Sequence, residues 1–151
     1  MIINLRKATS ADIPVLLAIE KSVSCSNLYS PMLEEDEWLT ELRQNTVYII
    51  EKDGVAVGNI SYEEKDDDHV YISGLVVEQQ FQGQGIAREA LTHLLENLGA
   101  VKRIDLVTHP DNVTALKLYQ SFGFISESRK ENYFGDGQPR LVLALFAKND
   151  F

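Results

Sequence analysis

Gln82-Gly83-Gln84-Gly85-Ile86-Ala87 stands between a strand-like run, Val70–Val77, and a helix-like run, Gly85–Leu98. Glycine has no Cβ to clash, so the backbone here can curl through conformations closed to other residues. Successive N–H groups can then point into one concavity, and the helix start adds partial positive charge. The local chemistry is that of an anion-binding loop. Two well-known phosphate loops do not fit it. A Walker loop ends in Gly-Lys-Ser or Gly-Lys-Thr, whereas Gly85 is followed by Ile86-Ala87. The dinucleotide fingerprint needs a third glycine and an early strand–helix–strand position.

Outward from this loop, strands and helices alternate. Upstream, Ile2–Lys7 reads as a strand, and Thr9-Ser10-Ala11-Asp12 as a capping box with Pro14 in the first helical turn. Ile13, Leu16, Leu17 and Glu20 follow at helical spacing. Glu34–Gln44 is a second, acidic helix with Trp38, Leu39 and Leu42 as its apolar stripe. Val47–Glu51 and Val55–Tyr62 form a hairpin around Lys52-Asp53-Gly54. Glu63-Glu64-Lys65-Asp66-Asp67-Asp68 reads as a solvated loop. The apolar run Val70–Val77 predicts a central strand covered on both faces. Downstream, Gly99 ends the helix Gly85–Leu98, Arg103–Thr108 is a strand, and Asn112–Phe122 is a helix closed by Gly123. Phe124–Tyr133 and Leu141–Ala147 pair around Gly135-Asp136-Gly137. The order βααβββαβαββ predicts an α/β fold: a mixed sheet of about seven strands flanked by about four helices.

The 151 residues are the size of one domain, so residues 1–151 are expected to form a single one. Composition is that of a globular protein, 44% hydrophobic and 25% charged. No apolar run approaches the roughly 20 residues of a membrane helix. Met1-Ile2-Ile3-Asn4-Leu5-Arg6 lacks the layout of a signal peptide, which predicts a cytoplasmic location. Cys25 is the single cysteine, so no internal disulfide can form, and a buried or inert thiol is expected there. A net charge of −9 disfavours nucleic acid as a partner and suits a cationic one.

Leu75-Val76-Val77-Glu78 followed by Gln82-Gly83-Gln84-Gly85-Ile86-Ala87 resembles the acetyl-CoA motif of the GNAT superfamily of N-acetyltransferases, Q/R-x-x-G-x-G/A. A second block, Asn112-x-x-Ala115-x-x-x-Tyr119-x-x-x-Gly123-Phe124, is similar to that family's N-x-x-A-x-x-x-Y-x-x-x-G-F segment. Helical geometry puts Asn112, Ala115 and Tyr119 along one face. The last third, with Asn132-Tyr133-Phe134 and Asp136-Gly137, looks most like the subfamily that acetylates the N-terminal alanine of a ribosomal protein.

The resemblance implies a GNAT-like fold and acetyl-CoA as cosubstrate, with no metal. Leu75, Val76 and Val77 would face pantetheine. Gln82, Gly83, Gln84, Gly85, Ile86, Ala87 and Arg88 would hold the phosphates, and Asn112 and Tyr119 would complete the site. A neutral amine would attack the thioester directly in a ternary complex. The backbone N–H near Val77 is the candidate oxyanion donor, and Tyr119 the candidate acid for the departing thiolate. The base is open. The subfamily's strand glutamate falls on Val107, and the position used by other members falls near Tyr71. Asp105 and His109, two residues either side of Val107, are candidates. His69 reads as solvated. Glu20 and Tyr133 are candidate substrate contacts, Glu20 with a helix-surface role as the alternative.

An amine acceptor is therefore expected: a small molecule, a peptide or protein N-terminus, or a lysine. Neither nucleic acid nor membrane is expected as a partner, and a homodimer is compatible with this reading. The alternative keeps the fold without the chemistry, as a module that senses acetyl-CoA.

Overall fold

The computed structural model describes residues 1–147. It contains β1 (Ile3–Lys7), α1 (Ile13–Ser22), α2 (Glu35–Gln44), β2 (Thr46–Lys52), β3 (Val55–Asp66) and β4 (His69–Val77). Then follow α3 (Ile86–Leu98), β5 (Arg103–Thr108), α4 (Val113–Ser121), β6 (Ile125–Lys130) and β7 (Arg140–Phe146). The order βααβββαβαββ is the expected one. The seven strands form one sheet in the order β1-β2-β3-β4-β5-β7-β6. All pairings are antiparallel except β4 with β5, so the sheet is mixed.

Two apolar layers hold it. On one face Ile86, Ala90, Leu91 and Leu94 of α3 meet Ile60, Ile72, Ile104, Leu106 and Leu143 from the strands, with Tyr119 and Phe124. On the other, Leu16 of α1 and Trp38 of α2 pack with Val47 and Ile49. Trp38 is fully buried, and its indole N–H is satisfied by the Met32 carbonyl at 3.1 Å. β4 is the central strand, fourth of seven, as its apolar run predicts.

Two local expectations change, and the capping box is found as expected. Glu63–Asp66 are not loop but the end of β3, paired with β4 down to Asp66↔His69. Their side chains stand at an exposed hairpin end where water screens the acids, so strand pairing costs little. Asp67-Asp68 alone make the turn. Cys25 is exposed, because the segment after α1 runs over the surface. The box at Thr9 opens a short 3₁₀ turn, Ser10–Asp12, ahead of α1; Asp12 accepts from the Thr9 N–H at 2.8 Å.

Two irregularities in β4 place the site. First, β4 pairs with β5 over only three rungs, from His69↔Arg103 to Tyr71↔Asp105. Beyond Tyr71 the two strands part, and the centre of the sheet opens as a wedge. Second, Ser61 pairs with Gly74 while Tyr62 pairs with Ile72, so Ser73 is the extra residue of a β-bulge. Bulges bend a strand and re-aim a side chain. This one lies just past the parting of the strands.

Candidate functional site

The loop after β4 has the shape its sequence predicts. Gly83 and Gly85 take φ of 80° and 83°, and a Cβ at either would meet no atom within 4 Å. Left-handed backbone there turns the loop over an open concavity, and Gly85 caps the start of α3. Gln82, Gln84 and Arg88 are exposed, Ala87 half-buried, and Ile86 buried as the loop's anchor in the core. Gln82 Nε2 donates to the Val77 carbonyl at 3.0 Å, tying loop to strand. Lys52, the last residue of β2, donates from Nζ to Gln84 Oε1 at 2.6 Å. Sequence spacing gives no hint of this cation, which the fold brings from 32 positions away. Arg88 instead bridges to α4, through Ser121 Oγ at 3.0 Å and the face of Phe122.

From the loop the wedge runs back along Leu75, Val76 and Val77, whose strand edge toward β5 has no ladder partner. The other wall is the end of β5 and the start of α4. There Asn112 Oδ1 accepts from the Ala115 N–H at 3.2 Å and caps the helix. Tyr119 is buried, edge-on to Phe124 at 5.8 Å between centroids. Burial, with a smaller push from Tyr29, raises its phenol well above the usual tyrosine value. Like any phenol Tyr119 keeps its proton at neutral pH, and burial makes it a weaker donor in the free protein. Tyr29 packs on Ile19, Val23 and Val76, which places the end of α1 beside the same strand segment.

On the α1–α2 face lies a cleft of roughly 160 Å³, lined by Lys65, Tyr71, Asp105, Leu106, Val107, Tyr133 and Val142. Tyr71 is pushed above its ordinary value by burial first, then by the Tyr133 phenol, Asp105 and Glu41. Asp105 and Val107 share this face. His109 lies past the end of β5, is buried, and does not line the cleft. Both candidate bases are engaged. Asp105 accepts from His69 Nε2 at 2.9 Å and from Arg103 Nε at 3.0 Å. His109 Nδ1 accepts from the Asp111 N–H at 3.0 Å, and Nε2 meets Gln138 Oε1 at 2.9 Å. His69 is thus half-buried and paired rather than solvated.

Glu20 departs furthest from a surface role, at 4% exposed. Burial, helped by Glu37 and Glu41, raises its carboxyl to about 7. The Asn59 amide pulls the other way, although its Nδ2, itself buried, has no partner within hydrogen-bond distance. Glu41 is the other carboxylate here: it accepts from Ser73 Oγ at 2.8 Å and Asn45 Nδ2 at 2.9 Å. Neither Ser73 nor Glu41 stands out in the sequence, because a bulge and a helix–sheet contact select them, not a motif.

The glycine loop, the open strand edge and the capped helix fit an extended anionic ligand with amide groups. Among the described residues no group of three His, Cys, Asp or Glu could hold a metal, and no helix is long and apolar enough to cross a membrane.

Residues 16–124 match the model of the acetyltransferase (GNAT) family. A [ribosomal protein bS18]-alanine N-acetyltransferase from Haemophilus ducreyi is 28% identical over 115 residues, covering 65% of this chain and 79% of that one. An L-amino acid N-acetyltransferase from Escherichia coli is 26% identical over 144 residues, covering 87% and 88%. A Salmonella typhimurium protein solved with its cofactor acetyl-CoA superposes with a TM-score of 0.78 at 18% identity, covering 100% of this chain and 97% of that one.

Proposed function

The chain belongs to the acetyltransferase (GNAT) family, and from that premise we propose that it moves the acetyl group of acetyl-CoA to a primary amine in a ternary complex. What carries this reading is the continuity of the wedge: an unpaired edge in mid-sheet runs directly into the Gly83/Gly85 loop. Leu75 to Val77 would pair with the pantetheine amides as a missing strand would. The N–H groups of Gln82 to Arg88 would hold the pyrophosphate, with Lys52 adding charge. Asn112 would meet the same ligand from the other wall. Residues 1–151 would act as one domain.

The acceptor would enter by the cleft at Tyr71, Val107 and Tyr133, on the opposite side of the wedge from Tyr119. Its lone pair attacks the acetyl carbon, the C–N bond forms and the C–S bond breaks. Backbone N–H near Val77 would steady the developing oxyanion. Tyr119 would give its proton to the thiolate and regain one from the new amide nitrogen. The exposed acids Glu34, Glu35, Asp36 and Glu37 of the α2 region favour a positively charged acceptor, a small amine or a peptide N-terminus.

The test is turnover. The protein is offered acetyl-CoA with a panel of amines, amino acids and N-terminal peptides, and free thiol is followed. Amine-dependent thiol release supports an enzyme. Tight acetyl-CoA binding with no release from any acceptor favours a sensing module instead.

A further inference from the structure

Tyr71 and Val107, the strand residues that line the acceptor cleft beside Asp105, carry no carboxylate. Asp105 is tied to His69 and Arg103, and His109 to Asp111 and Gln138. An amine that is an ammonium at neutral pH must still lose a proton before it can attack. We propose that Ser73 and Glu41 remove it: Ser73 Oγ takes the proton from the acceptor ammonium and passes its own to Glu41 Oε1. This rests on the acetyl-transfer reading above.

Four observations converge on the pair. Ser73 is the bulge residue of β4, two positions after Tyr71, where β4 has just left β5. The cleft that would admit the acceptor is lined by that same Tyr71, and Tyr71 lies within the field of Glu41. The cleft, Ser73 and Glu41 are therefore on one face. The hydrogen bonds already form a chain: Ser61 Oγ lies 2.9 Å from Ser73 Oγ, and Ser73 Oγ donates to Glu41 Oε1 at 2.8 Å. Asn45 Nδ2, donating to the same oxygen at 2.9 Å, holds the carboxylate in place. Ser73 and Glu41 are both half-buried, so one can meet a ligand and the other can shed a proton to water.

A further observation is an open donor. Asn59 Nδ2 is buried without a partner on this face, beside Glu20 and opposite Val76 in the β3–β4 register. Gly74 leaves the patch uncovered: a Cβ there would stand 3.2 Å from Ser61 Oγ and 3.9 Å from Asn59 Oδ1. A buried amide donor without an acceptor costs stability unless a water or ligand oxygen fills it. Glu37 and Glu41, close enough to Glu20 to act on it, make the patch acidic and draw an ammonium toward it.

The balance is simple. The ammonium gives one proton to Ser73 Oγ, whose own goes to Glu41 and on to water. The second N–H proton, released after C–N bond formation, replaces the one Tyr119 gives to the thiolate.

The experiment compares an alkylamine acceptor with the matching alkoxyamine, which is already neutral at pH 7 and has no proton to lose before attack. Glu41→Gln keeps an oxygen for the Ser73 hydrogen bond but cannot take a proton. It should lower kcat/KM for the alkylamine by about 10- to 100-fold and leave the alkoxyamine within about twofold. Ser73→Ala should show the same selective loss, and Ser73→Thr, which keeps the hydroxyl, should recover most of it. Thermal melts confirm the fold of each variant. Equal losses with both acceptors would mean the pair only docks α2 on the sheet, and no loss with either would mean it is idle; both results overturn the relay. A wild-type protein that acetylates no amine would instead overturn the acetyl-transfer reading, and the relay with it.

Discussion

Gln82 Nε2 donates to the carbonyl of Val77 at 3.0 Å, so the first side chain of the glycine loop is fastened to the last residue of β4. Strand and loop are thereby one rigid unit, and a ligand lying along β4 meets the loop amides in a fixed relation.

Gly85→Val tests that unit. The φ of 83° is strained for a β-branched residue, but a Cβ would meet no protein atom. The variant should fold with a stability loss of about 1–2 kcal/mol. Acetyl-CoA affinity should fall at least tenfold, about 1.4 kcal/mol, because the side chain occupies the concavity. Calorimetry giving wild-type affinity for a folded variant would refute a phosphate cradle here.

Tyr119→Phe removes the hydroxyl but keeps the edge-on contact with Phe124. With the proton donor gone, kcat should drop roughly 100-fold while KM changes little. An unchanged kcat under conditions where chemistry limits the rate would dismiss Tyr119 as the acid.

Asp105→Asn and His109→Ala should each cost less than about tenfold in kcat/KM, since both groups already serve structural partners. Steady-state kinetics on folded variants decide it. A thousandfold loss in either would identify that residue as the base.

Glu20 gives a pH signature in stability. Its folded value of about 7 lies above the ordinary 4.5, so the native state binds this proton more tightly than the unfolded chain. Stability from this group is therefore full below about pH 4.5 and is lost as pH rises through about 7. The loss is on the order of 3 kcal/mol. Urea melts of wild type and Glu20→Gln at pH 5 and pH 8 should show the variant gaining on wild type at the higher pH. Parallel behaviour of the two proteins would rule out a buried, ionising Glu20.

The element order was legible because strand and helix periodicities are clean and glycines punctuate them, as at Gly99 and Gly123. The loop at Gly83 and Gly85 was legible for the same reason: it is local. What sequence could not give is what distant contacts create. Glu20 sits at ordinary helical spacing, and nothing in its neighbours announces that α2 will close over it. Lys52 reads as a turn residue until the end of β2 folds against Gln84. Asp105 and His109 look like free groups because their partners His69 and Gln138 are 36 and 29 positions off. The bulge at Ser73 is invisible in a strand whose apolar run is otherwise regular.

Gly58 shows how tightly the other edge of β4 is held. A Cβ there would collide with the Val76 carbonyl oxygen, so β3 lies against β4 more closely than any side chain allows. The parting of β4 from β5 is thus one-sided: pinned to β3, β4 cannot swing back to close the gap. Along residues 73–77 the central strand behaves toward solvent as an outer one. Its amide protons that face the gap should exchange rapidly in the free protein, although the residues lie in mid-sheet, and slow when an extended ligand supplies the absent ladder. Recessed between two halves of the sheet, this inner edge is also shielded from a second chain, so the opening carries little of the aggregation hazard that an exposed strand of the same composition would bring.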